Sequence, residues 1–273
     1  MSVIAIGMMK DSEDVVRGVI KHMAEEVDHI IVADNNSTDG TRAILDELST
    51  RLPLTIIDDP VEAYYQSAKM TALAQIAADM GAHAIVPFDD DELHFSRNGR
   101  IRDVLTSDMS PGTAVAIPLY NHWVTLVDDP NEPDPFRRIQ WRHRAPGVLH
   151  KVAYIWSPEI VIDMGNHGLS RRNEHGDIVP HDGLTWIDAG MEVRHFPMRS
   201  HAQFLRKTLN GARALELTDL PSDTGAHWRG HKAIYDIHGI SALYRVFDDH
   251  YCYSVPWESD MIHDPAPYRR WEA

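Results

Sequence analysis

The residues best suited to chemistry lie in two acidic stretches that each follow a short apolar run. Ile85-Val86-Pro87-Phe88 ends abruptly in Asp89-Asp90-Asp91-Glu92. The apolar run reads as a buried strand, and four adjacent carboxylates repel one another unless a cation sits among them. Hard oxygen ligands at a strand's carboxyl end suit Mg²⁺ or Mn²⁺. Mg²⁺ in particular is usually held by one or two carboxylates together with substrate phosphates. A solvated acidic turn is the alternative. The second stretch is Asp34-Asn35-Asn36-Ser37-Thr38-Asp39-Gly40-Thr41, directly after His29 to Ala33. Here Asp34 and Asp39 could meet a ligand, or could cap the turn and the helix that follows.

The elements that must position these loops alternate. Val3 to Ile6 reads as a strand, Glu13 to Glu26 as a helix with Val15, Val16, Val19, Ile20 and Met23 on one face, and His29 to Ala33 as the next strand. A helix from about Arg42 to Leu48, a strand Leu54 to Ile57, a long helix Tyr64 to Met80 and the strand Ala84 to Phe88 continue the pattern. Such alternation predicts an α/β fold with a mainly parallel sheet covered on both faces. Ligands bind beyond the carboxyl ends of the strands in these sheets, so both acidic loops are expected to face one crevice.

Further strands are expected at Thr113 to Tyr120, Val148 to Trp156, Ile160 to Met164 and Met191 to His195, with a helix from Ser200 to Leu215 and a helical, then aromatic tail from His227. The Pro-rich acidic segment Asp128 to Pro135 reads as an exposed loop or lid between two halves. The expected division is an α/β half at 1–120, a second half at 121–215 and a mostly helical extension at 216–273.

Charge is unevenly distributed. The net charge is −15, yet residues 1–136 carry 9 Lys and Arg against 24 Asp and Glu, and the remainder carries 17 against 17. A uniformly basic nucleic-acid-binding surface is therefore not expected, although Arg137-Arg138 and Arg142-His143-Arg144 are local basic clusters. Cys252 is the single cysteine and forms no intramolecular disulfide. The apolar Val3 to Met9 has no preceding basic segment and does not read as a signal peptide, and no apolar run approaches the ~20 residues of a membrane span. A cytoplasmic protein is the resulting expectation.

The order of these motifs resembles the family 2 glycosyltransferases with the GT-A fold. Tyr65-Gln66-Ser67-Ala68-Lys69-Met70 and His195-Phe196-Pro197-Met198-Arg199-Ser200, followed by Gln203-Phe204-Leu205-Arg206-Lys207, are similar to a bacterial and phage subgroup. The resemblance implies that Asp34 contacts the base or ribose of a nucleotide-diphosphate sugar, with Asp39 in the same loop. It further implies that Asp89 and Asp91 form the Asp-x-Asp pair, with Asp90 between them and Asp91 on the metal. Lys69 lies near the nucleotide with Gln66 beside it, and His195 completes the metal or diphosphate site. One departure is Asp11-Ser12, where relatives carry Asn-Glu or Asp-Glu.

The chemistry agrees with that expectation. Glycosyl transfer develops negative charge on the departing diphosphate, which Mn²⁺ or Mg²⁺ stabilises as a Lewis acid. Lys69, Arg199 and Lys207 would neutralise the remainder. His195 could equally be a core or surface histidine, and Arg199 a surface ion pair. An inverting enzyme also needs a base at the acceptor hydroxyl. Asp182 in Pro180-His181-Asp182-Gly183 is the candidate, against a solvated loop carboxylate, and His167 in Gly165-Asn166-His167-Gly168 is a candidate for the acceptor side. The expected activity is transfer from a UDP-sugar to an unidentified acceptor. The alternatives are the same transfer to hydroxymethylated bases of DNA, a metal-dependent nucleotidyltransferase or phosphohydrolase, and a non-enzymatic sugar or nucleotide binding module.

Overall fold

The computed structural model describes residues 1–266 except Ser107, Asp182, Gly183 and Ser259. Strand and helix alternate as β1 (Ser2–Met9), α1 (Val16–Glu26), β2 (His29–Asp34), α2 (Thr41–Ser49), β3 (Leu54–Asp58), α3 (Gln66–Asp79) and β4 (Ala82–Asp89). Next come β5 (Glu92–Ser96), the one-turn α4 (Ile101–Val104), β6 (Ala114–Asn121), β7 (Val124–Thr125), α5 (Pro135–Arg138) and β8 (Trp141–His143). They are followed by β9 (His150–Ile155), β10 (Ile160–Ile162), β11 (Leu169–Arg172), β12 (Ile178–Pro180), β13 (Trp186–Ile187) and β14 (Met191–His195). The last elements are α6 (His201–Glu216), α7 (Ala226–His238), α8 (Ile240–Tyr251), β15 (Cys252–Tyr253) and β16 (Met261–His263).

The chain forms two compact units whose borders do not follow chain order. The first comprises residues 1–60, 66–120 and 146–195, and the second 61–65, 121–145 and 196–273. In the first unit the main sheet runs β3-β2-β1-β4-β9-β6-β14-β5, with β13 beside β6. Strands β3, β2, β1 and β4 are mutually parallel, and β9 reverses direction between β4 and β6. This is the expected α/β class with a mainly parallel sheet. The core beneath α3 joins Ile4, Ile6, Ile31, Met70, Leu73, Ile85 and Tyr154. At the center of the sheet Gly7 lies opposite Phe88, and a Cβ on Gly7 would come within 2.9 Å of the Phe88 ring. The second unit packs Phe204 of α6 with Leu243 and Phe247 of α8.

Several boundaries differ from expectation for local reasons. Helix α1 starts at Val16 because Ser12 O accepts from both Val15 N and Val16 N, which closes a turn first. Helix α3 starts at Gln66 because Tyr64 N is bonded to Ala214 O and Tyr65 Oη donates to Asp219. Within the segment expected to be a loop, Asp134 caps α5 by accepting from Phe136 N, and Asp128 accepts from Thr125 N and Oγ1. The largest difference concerns the acidic run itself. Asp89 ends β4, Asp90 and Asp91 form a two-residue turn, and Glu92 opens β5, so the four carboxylates enter different environments. Among the described residues, no helix is long and apolar enough to cross a membrane.

Candidate metal and nucleotide site

Strand register assembles the site. Met9 at the end of β1 lies opposite Asp34 of β2, and Met8 opposite Asp89 of β4. The two acidic loops therefore leave the sheet on either side of the same strand end. Pairing of β14 with β5 sets His195 opposite Glu92. Asp91 and Glu92 are 2% and 0% exposed. One oxygen of each and one ring nitrogen of His195 lie within 4.8 Å of one another, and His195 Nε2 is 3.6 Å from Asp91 Oδ1. Thus the structure brings Asp91 and His195 together and adds Glu92, the last residue of the acidic run. The carboxylate oxygens are donors that suit Mn²⁺ or Mg²⁺, and the imidazole is a further nitrogen ligand beside them.

A lysine that sequence reasoning missed sits in the middle. Lys151 of β9 is 3% exposed, and a charge so deeply buried is stable only when paired. Its Nζ donates to Asp89 Oδ2 at 2.5 Å and to Gly165 O at 2.8 Å, and lies 2.8 Å from Glu92 Oε1. The other Asp89 oxygen accepts from Gln66 Nε2 at 3.2 Å and Asn166 Nδ2 at 3.0 Å. Glu92 Oε2 accepts from His94 Nε2 at 2.9 Å and from Asp89 N at 3.2 Å.

The electrostatic consequences are opposite for the two carboxylates. Burial and the adjacent Glu92 and Asp91 charges push the Asp89 carboxyl up to about 6 despite Lys151. Burial also acts upward on Glu92, but Lys151 and His94 outweigh it and hold Glu92 well below the usual carboxylate range. Burial lowers Lys151, yet Asp89 and Glu92 prevail and raise it above the ordinary lysine value.

Asp34, Asp39, Gln66, Lys69 and Asp90 occupy the same edge of the first unit. Asp34 is 6% exposed; its Oδ1 accepts from Ser37 N and its Oδ2 lies 3.7 Å from Arg42 Nη1. Asp39 accepts from Thr41 N at 2.9 Å and Glu13 N at 3.1 Å, which is the capping arrangement that its sequence position left open. Gln66 bridges Asp89 to Gly165, whose N–H donates to Gln66 Oε1 at 2.8 Å. Lys69 pairs with Asp59 at 2.6 Å, and Asn35 Nδ2 donates to the same Asp59 oxygen at 2.8 Å. Asp90 accepts from Ser12 Oγ. The departing Asp11-Ser12 is therefore part of the edge: Asp11 Oδ1 accepts from Thr38 N at 2.6 Å, and Ser12 N donates to Thr41 Oγ1 at 2.7 Å.

Arg199 and Lys207 belong to the second unit. Arg199 is 4% exposed and its Nη1 donates to Phe196 O, while Lys207 Nζ donates to Pro197 O. Both thus hold the segment that precedes α6. Asp182 lies outside the described residues. His167 Nδ1 lies 2.8 Å from His150 O, which can only accept a hydrogen bond, so the hydrogen sits on Nδ1 and the neutral ring carries its lone pair on Nε2. Burial and the Lys151 charge lower the His167 pKa, which favours that neutral form.

Comparison with known proteins follows this geometry. Residues 6–119 match the family model described as glycosyl transferase family 2. Among curated proteins, no sequence relative matches. Among solved structures, residues 1–349 of TarS from S. aureus in complex with UDP-GlcNAc are similar at 13% identity, covering 91% of this chain and 73% of that one, with a TM-score of 0.45. Mannosyltransferase PcManGT from Pyrobaculum calidifontis, in complex with GDP-Man and Mn²⁺, is similar at 15% identity, covering 91% and 75%, with a TM-score of 0.42. Residues 6–119, which carry the acidic turn and the loops beside it, belong to glycosyl transferase family 2.

Proposed function

We propose that this chain transfers a sugar from a nucleotide-diphosphate donor, with uridine as the base, to an acceptor hydroxyl in a metal-dependent reaction. The observation that carries the reading is the convergence of Asp91, Glu92 and His195 within 4.8 Å at the carboxyl edge of the family 2 segment. Bound there, Mn²⁺ or Mg²⁺ would stabilise the charge developing on the leaving diphosphate. Asp91 and His195 hold the ion, Asp34 orients the base and ribose, and Lys69 and Gln66 lie on the nucleotide side. The functional division is a donor half at 1–120, an acceptor side at 121–215 and a helical extension at 216–273.

Proton removal from the acceptor falls to Asp182 or to His167. The bare Nε2 of His167 favours the histidine, and the exposed-loop sequence around Asp182 favours the carboxylate. Thermal-shift measurements with uridine, guanosine and thymidine diphosphates, each with and without Mn²⁺, test the donor reading. Stabilisation by UDP only when Mn²⁺ is present is expected. Equal stabilisation by all three without metal would refute it. For the base, Asp182→Asn and His167→Gln are both expected to retain Mn²⁺-dependent UDP binding by calorimetry, and the variant lacking the base loses ~10²-fold or more in UDP release from UDP-sugars.

A further inference from the structure

We infer that Lys151 is a positioning residue: it holds the acidic turn assembled before any metal arrives and makes divalent-ion binding depend on the nucleotide diphosphate. The inference rests on the metal-dependent reading above and assigns a role to a residue outside the family 2 segment. An ammonium group has three donors and no acceptor. That of Lys151 donates to Asp89 and Gly165 and forms an ion pair with Glu92 at 2.8 Å, so it ties the end of β4, the start of β5 and the Gly165 loop together.

This arrangement engages both oxygens of Asp89 and of Glu92 within the protein. Asp89 has Lys151 on one oxygen and Gln66 with Asn166 on the other. Glu92 has Lys151 on one oxygen and His94 with Asp89 N on the other. Repulsion within the acidic run is therefore relieved internally, and the turn needs no ion to form. A fixed positive charge within hydrogen-bond reach of Glu92 also opposes a dication approaching that carboxylate. Asp91 and His195 alone would then offer too few ligands for a hard cation, and phosphate oxygens of the donor would supply the rest.

The test is Mn²⁺ titration of the full chain followed by the electron paramagnetic resonance of the free ion, with and without UDP. The wild-type chain is expected to bind Mn²⁺ at least tenfold more tightly when UDP is present. Lys151→Met, freed of the internal counter-ion, is expected to bind Mn²⁺ without UDP about tenfold more tightly than wild type, since a unit charge removed a few ångströms away changes a dication's binding by at least that factor. Lys151→Gln, which keeps a polar donor, gives the same readout should the methionine variant fail to fold. Folded variants with unchanged or weaker UDP-free Mn²⁺ affinity would overturn the inference, as would tight Mn²⁺ binding by wild type without UDP. Absence of Mn²⁺ binding by wild type even with UDP would instead refute the metal-dependent function itself.

Discussion

Asp91 and Asp89 look alike in the chain and differ in what surrounds them. Asp91 faces His195, so Asp91→Asn removes charge from a crowded edge and leaves the Lys151 contacts intact. Mn²⁺-dependent UDP binding by calorimetry is expected to fall at least tenfold, with a melting temperature level or slightly raised. Asp89→Asn instead removes the counter-charge of a buried lysine, and a loss of roughly 1–3 kcal/mol in urea unfolding is expected because Glu92 still pairs with Lys151. Asp34→Ala is expected to raise the donor KM more than it lowers kcat, since contacts to base and ribose persist unchanged from ground to transition state. At this scale the two acidic loops were legible because each follows a short apolar run, and the family resemblance singled out Asp34, Asp89, Asp91 and His195 within and beyond them. The acidic run signalled the need for a cation and pointed to a metal, but not to Lys151. A lysine near the start of β9 carries no local signal, and only the antiparallel placement of β9 beside β4 brings it there.

Among the elements, the alternation of β1 to β4 with α1 to α3 was legible because each apolar run has a clear period and a polar end. Strand β5 was not, since Glu92 opens it and the acidic run hides its start. The expected start of α3 failed for a different reason: Tyr64 and Tyr65 bond to distant residues, and no pattern within the segment reports that. Close approach of strands is equally invisible until the register is known. Gly7→Ala would drive a methyl group into the Phe88 ring, and a destabilisation of about 1–3 kcal/mol is expected in chemical denaturation. Helix α6 offers a contrasting case that sequence patterns do forecast. Ser200 Oγ accepts from Gln203 N, and Ser200→Ala is expected to cost about 1 kcal/mol, read as a lowered denaturation midpoint.

Across the whole molecule, the excess of acid lies in the first 136 residues, which include both acidic loops. A nucleotide diphosphate carries the same sign. Without divalent metal, UDP affinity is therefore expected to rise as NaCl screens the repulsion, and the trend should weaken or reverse once Mn²⁺ is bound. Isothermal titration at several salt concentrations checks both signs. The first unit is also drawn from three separate stretches of chain, the last ending at His195. During synthesis, β5 has no partner on its β14 side until Met191 to His195 has been made, and those same five residues deliver the imidazole to the acidic turn. A chain cut short by the ribosome or a protease before this strand would leave β5 without its β14 partner and the acidic turn without His195, so pairing of β5 and delivery of the proposed metal ligand occur in a single biosynthetic step.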